Sequence, residues 1–199
     1  TSDTIKSAQK VKELSNLATL CITNNEESTI WNLCDYKVAC YAGTEQGIAA
    51  TKSFTSQMLC LILISLKLVE KIHGDNATIG YKKSLFSLPA VVDKALAKRE
   101  DIKKLAAILA KENTIVITAD GISYSLAKEA ALKIKETSYK NISAAILGEF
   151  MHGHVAVLNN PSMLIYIAVD EISKRSVSNL NKIKEAYNCL LYTSPSPRD

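Results

Sequence analysis

The chain has 199 residues, 47% hydrophobic and 22% charged, with a formal net charge of +4. It is long enough for one full domain or parts of two, and its composition is that of an ordinary globular protein. The charge is spread through Lys-Glu mixtures and aromatics are only 6%, so there is no nucleic-acid footprint, although a small anionic substrate would suit the bias. The opening TSDTIKSAQK is polar and excludes a signal peptide. Thr4 to Leu17 keeps helical spacing through Ile5, Ala8, Val11 and Leu14. Ala18 to Thr23 reads as a strand ended by Asn24-Asn25, and Tyr36 to Ala42 as a second strand. Gly43 to Gly47 is a loop, and a long helix is predicted from about Ala50 to His73, closed by Gly74. The most apolar run, Met58 to Val69, contains Ser65 and Lys67; it is too short to span a bilayer and fits a buried helix.

Ile79 to Lys98 is predicted helical with a break near Pro89, and Asp101 to Glu112 is a further helix. TIVITA, Thr114 to Ala119, is nearly all apolar or Thr, as a central parallel strand buried on both faces requires. A helix from Ser123 to about Tyr139, a strand from Ile142 to Leu147, a strand from Met163 to Val169 and a helix from Glu171 to Tyr187 follow. Strands alternating with helices predict an α/β fold with parallel sheets. The helix-rich stretch 50–112 reads as the junction between two incomplete α/β domains. Ligands of such sheets bind outside the carboxyl ends of the strands.

Four groups of residues could carry chemistry. Thr1 to Thr4 opens a helix and suits either phosphate binding or plain capping. AGTEQGIAATK, Ala42 to Lys52, places two glycines in a strand-to-helix loop. Glu129, Lys133 and Glu136 share one helix face, where they suit an acid/base pair or a surface salt-bridge row. Ala127, Ala130, Ala131 and Ile134 form a second stripe that could pack closely on a sheet. GEFMHGH, Gly148 to His154, follows a strand and supplies histidines as proton shuttles. The five cysteines lack C-x-x-C spacing and form no zinc signature with the three histidines, which predicts buried, reduced thiols in a cytoplasmic protein.

In order, AGTEQGIAATKSFTSQ, EAALKIKETSY and GEFMHGHVAVL resemble the three motifs A-G-x-E-x-G-V-A-S-T-K-x-F-T-x-Q, E-G-A-L-K-L-K-E-I-S-Y and G-E-L-K-H-G-P-L-A-L of the sugar isomerase (SIS) family. The resemblance covers Thr1 to Tyr187 and implies two tandem SIS modules, each a parallel five-stranded sheet flanked by helices. Both would be incomplete here: residues 1–72 a partial first module, 73–112 a helical linker or the start of the second module, 113–188 a partial second module. It implies an isomerase fragment of the kind that turns fructose-6-phosphate into glucosamine-6-phosphate, with no metal or redox cofactor. By motif match, Glu136 is the base moving a proton between C1 and C2, His152 assists ring opening from a neighbouring subunit, and Lys133 assists near O1 or C1. Thr1 would bond the phosphate, and Ile48 and Ala49 would line the sugar. The implied partners are a sugar-phosphate substrate and a second copy in a homodimer with a shared active site, without nucleic acid or membrane.

Two positions depart from the family pattern. His154 stands where the family has Pro, and Ala50 where it has Ser. They keep open a glutaminase-free relative, an amino-sugar-phosphate deaminase or deglycase, while retention of Glu136 and His152 argues against a non-catalytic sugar-phosphate sensor. Residues 189–199, CLLYTSPSPRD, resemble the translation of a sequencing adapter and are expected to lie outside the fold. The coding sequence is then expected to be cut near Asn188 and at Thr1, and the fragment itself to be inactive.

Overall fold

The computed structural model describes residues 2–158, 162–169, 171–187 and 190–194, the last group through its backbone. The chain forms two compact units, Thr1–Leu85 and Phe86–Asp199.

The first unit runs α1 (Ser2–Leu14), β1 (Leu20–Thr23), α2 (Thr29–Leu33), β2 (Tyr36–Ala39) and α3 (Lys52–His73). β1 and β2 pair in parallel with Leu20 opposite Tyr36. The short helix α2 was not foreseen. Its start is fixed by Ser28, whose hydroxyl accepts from the Trp31 amide at 3.4 Å. Asp35 ties the strand starts together, accepting from Lys12 Nζ, the Thr19 amide and the Thr19 hydroxyl, each at 2.8 Å. These bonds hold its carboxyl well below the usual range.

α3 ends where the sequence places its stop. Gly74 takes φ +86°, and its amide donates to the Glu70 carbonyl at 2.8 Å. The expected burial of Met58–Val69 does not hold. Met58, Leu61, Ile62, Leu63, Leu68 and Val69 are all exposed, and Glu70 is the buried residue of the helix. The reason is geometric: α3 is apolar around much of its circumference, and this unit offers it a two-stranded sheet and one following turn to pack on. At 22 residues the whole helix is long and apolar enough, by length and composition alone, to cross a membrane, a test that the core helix of a soluble protein also passes. Beneath its last turn the Glu70 carboxylate accepts from Thr78 and pairs with Lys67 at 3.2 Å and with Lys82.

Three helices follow: α4 (Ile79–Phe86), α5 (Leu88–Ala97) and α6 (Arg99–Leu109). Pro89 sits in the first turn of α5, where its missing N–H costs nothing, so the break falls just ahead of it.

The second unit holds β3 (Thr114–Ala119), α7 (Ser123–Ser138), β4 (Asn141–Ile146), α8 (Leu147–Phe150), β5 (Ser162–Ile167), α9 (Lys174–Tyr187) and β6 (Leu190–Ser194). Its parallel strands lie in the order β4-β3-β5-β6. Alternate residues of β3 feed two cores. Ile115, Ile117 and Ala119 join Ile142, Met163 and Ile165 under Ala127 and Ala131 of α7. Val116 joins Leu164 and Tyr166 on the other face, under Leu147 and Phe150 of α8 and Leu180 and Ile183 of α9. Each fully buried Ile or Leu contributes about 1.5–3 kcal/mol.

Two expectations change here. The stretch Gly148 to His154, expected only to follow a strand, begins inside α8 because Leu147 and Phe150 bury completely beside α9. The segment set outside the fold supplies β6: Leu190–Ser194 pairs in parallel with β5, Met163 opposite Leu190. Leu-Leu-Tyr-Thr has strand propensity, and an unpaired strand beside it is a template for any such run.

Candidate active site

In the first unit, a cavity of about 320 Å³ opens at the carboxyl ends of β1 and β2, lined by Asn24, Glu26, Ala39, Tyr41, Gly43 and Thr44. This is where a parallel α/β unit receives ligands. The loop from β2 to α3 borders it and carries Ile48 and Ala49. Ala49 is buried and Ile48 is 89% exposed, so the two side chains have opposite surroundings. The loop is fastened at two points. Asn24 bridges its start: its Oδ1 accepts from the Ala42 amide at 2.8 Å, and its Nδ2 donates to the Gly43 carbonyl at 2.7 Å. Tyr41 and Gly43 flank this bridge with φ of +50° and +67°.

Glu45 fastens the other end. Its Oε1 accepts from the Thr51 amide (2.7 Å), the Thr51 hydroxyl (3.0 Å) and the Lys52 amide (3.1 Å), while Oε2 accepts from Ser53. Ser53 and the Thr51 amide lead the bonds that pull its carboxyl down to about 2. Thr51 itself makes no side-chain capping bond, so Glu45 satisfies the start of α3 from six residues upstream. Asn24 was read from sequence only as ending a strand, and Glu45 was given no role although it stands inside the quoted motif; an acidic residue just before a helix start was the available signal. Thr1 lies outside the described residues.

In the second unit, Lys133 stands between two carboxylates, 3.1 Å from Glu136 Oε2 and 3.4 Å from Glu129 Oε1. All three side chains are about a quarter to a third exposed, drier than an ordinary surface pair. The bond to Glu136, foremost among the causes, raises the Lys133 ammonium above its ordinary value. Lys133 is therefore a fixed cation shared by the two carboxylates.

His152 is placed elsewhere. It follows α8, whose Leu147 and Phe150 pack on the sheet face opposite α7, and its side chain is exposed. α7, which carries Glu136, and α8, which precedes His152, thus pack on opposite faces of one sheet. Glu136 also departs from the expected location at the carboxyl ends of strands. α7 runs back along the sheet between parallel β3 and β4, and Glu136 lies in its last turns. Nearby, Lys140 Nζ donates to the Glu112 carbonyl at 2.9 Å, just ahead of β3. Among the described residues no three His, Cys, Asp or Glu side chains converge as a metal site needs.

Parallel sheets with packed helices, carrying this glutamate-lysine pair and a histidine after the next strand, define a sugar-phosphate isomerase-type α/β protein. Residues 1–66 and 108–188 match the SIS domain, and the chain belongs to that family. Among curated proteins it is 32% identical over 184 residues to a glutamine–fructose-6-phosphate aminotransferase (isomerizing) of Legionella pneumophila strain Lens. It is 30% identical over 187 residues to the Pseudomonas aeruginosa enzyme of that name. It covers 92% of itself in both but spans only 30–31% of those relatives. Among solved structures, the C-terminal domain of glucosamine-fructose-6-phosphate aminotransferase from Francisella tularensis superposes with a TM-score of 0.90 at 28% identity, over 97% of this chain and 55% of that one. A glucosamine-6-phosphate deaminase from Thermotoga maritima shares the fold, with a TM-score of 0.68 at 22% identity over 89% of this chain and 52% of that one.

Proposed function

We propose that the chain is the isomerase part of an enzyme that makes glucosamine-6-phosphate from fructose-6-phosphate, built from two tandem SIS modules. Residues 1–72 belong to the first module, 73–112 to the linker and 113–188 to the second. The observation that carries this reading is the Lys133–Glu136 pair at 3.1 Å inside a matching motif. A carboxylate beside an ammonium can take a proton from one sugar carbon and return it to the next through an enediol-like intermediate. Lys133, as a fixed cation, stabilises negative charge developing at O1. His152, from a second copy, opens the sugar ring. Thr1 bonds the phosphate, and Ile48 and Ala49 line the sugar. That Glu136 sits on α7 and His152 follows α8, helices packed on opposite faces of one sheet, supports a homodimer that shares its active sites.

A second reading rests on two residues. His154 and Ala50, which replace the family's Pro and Ser, suit a deaminase or deglycase working on the same scaffold without glutamine.

The deciding assay uses the full reading frame that encodes the chain, with fructose-6-phosphate plus glutamine or ammonia, beside Glu136→Gln. Formation of glucosamine-6-phosphate that falls by at least about 10²-fold in the variant is expected for a lost general base. Ammonia release from glucosamine-6-phosphate alone would move the assignment to the second reading. Turnover in neither direction, with sugar-phosphate binding intact, would overturn the synthase and the deaminase and leave the deglycase or a non-catalytic sensor.

A further inference from the structure

We propose that Glu45 is a positioning residue: its carboxylate closes the start of α3 and thereby sets the Gly47–Ala50 segment in the conformation that meets the sugar. This role rests on the reading of Ile48 and Ala49 as sugar-lining residues.

The loop from β2 to α3 spans residues 40–51 and has two glycines, so its conformation needs fixing from outside. Asn24 fixes only its first turn, at Ala42 and Gly43. Beyond that point Glu45 supplies the side-chain bonds that tie the loop to the helix start. They reach forward to Thr51, Lys52 and Ser53 and pull the segment between into a closed turn. Ile48 and Ala49 lie inside this turn. One of them is buried and its neighbour is exposed, an arrangement that fails if the turn opens.

Helix starts attract anions because their amides lack partners. At α3 the protein's own carboxylate takes the amides of Thr51 and Lys52. The substrate phosphate is thus directed away from α3, and this end of the loop is left to recognise the uncharged part of the sugar.

The test compares wild type, Glu45→Gln and Glu45→Ala, each expressed as the full reading frame that encodes the chain. Fructose-6-phosphate binding is measured by calorimetry at a temperature where circular dichroism shows every variant fully folded. Amide exchange is followed over residues 44–53 by mass spectrometry. Without the carboxylate the turn opens more readily, so Glu45→Ala is expected to bind roughly tenfold more weakly and to exchange faster at Thr51 and Lys52. Glu45→Gln keeps an acceptor oxygen and is expected to recover part of both losses. Such a graded loss of affinity in fully folded protein is what a purely structural residue would not give. Unchanged affinity in Glu45→Ala, with wild type binding normally, overturns the positioning role and leaves the functional reading standing. A wild type that binds no fructose-6-phosphate overturns that reading, and the positioning role falls with it.

Discussion

Glu70 is a carboxylate with its side chain almost fully covered, yet it stays charged because Lys82, Thr78 and Lys67 surround it. The Lys82 and Thr78 bonds lead in lowering its carboxyl to about 2, from an ordinary value near 4.5. Glu45 is lowered to about 2 by its own bonds. A carboxyl depressed in the folded state binds its proton later than in the unfolded chain, so both groups stabilise the fold fully above about 4.5. That stability is lost as pH falls from there through about 2. Thermal melting between pH 7 and pH 2.5 is expected to show a steep fall in Tm below about 4.5. Glu70→Gln is expected to melt lower at pH 7 and to fall less steeply in acid. A slope unchanged in Glu70→Gln would mean that other carboxylates carry the effect.

At the scale of elements, α7 shows why small residues matter. Ala127 is fully buried and Ala131 is 5% exposed against Ile115, Ile117 and Ile165. Ala127→Leu adds volume where none is free and is expected to destabilise the chain by about 1–3 kcal/mol in urea unfolding. The alanine stripe that produces this contact was legible in the sequence, as were β3 to the residue and the Gly74 stop of α3. These are cases where one local rule decides: an unbroken apolar run, a helical repeat, a glycine at positive φ. What escaped depended on surroundings. Sequence shows that α3 is apolar but not how little of the first unit lies against it. The strand Leu190–Ser194 forms because a sheet edge is open beside it. Glu129, Lys133 and Glu136 were readable as one face, but the fastening of the loop by Asn24 and Glu45 joins residues that only the fold brings together.

At the scale of the whole molecule, the sheet of the second unit acts as a partition. Glu136 is on the α7 side, while His152 follows α8 on the other. If both serve one reaction, a chain completes its neighbour's site and not its own. Two defective genes can then repair each other. Neither Glu136→Gln nor His152→Ala chains are expected to work alone. Co-expressed, they would form mixed dimers in which one site inherits both faults and the other inherits none. About half of the dimers would be mixed under random pairing, each with one intact site of two, so roughly a quarter of wild-type activity should return. An allele pair that stays inactive would show that each copy works by itself.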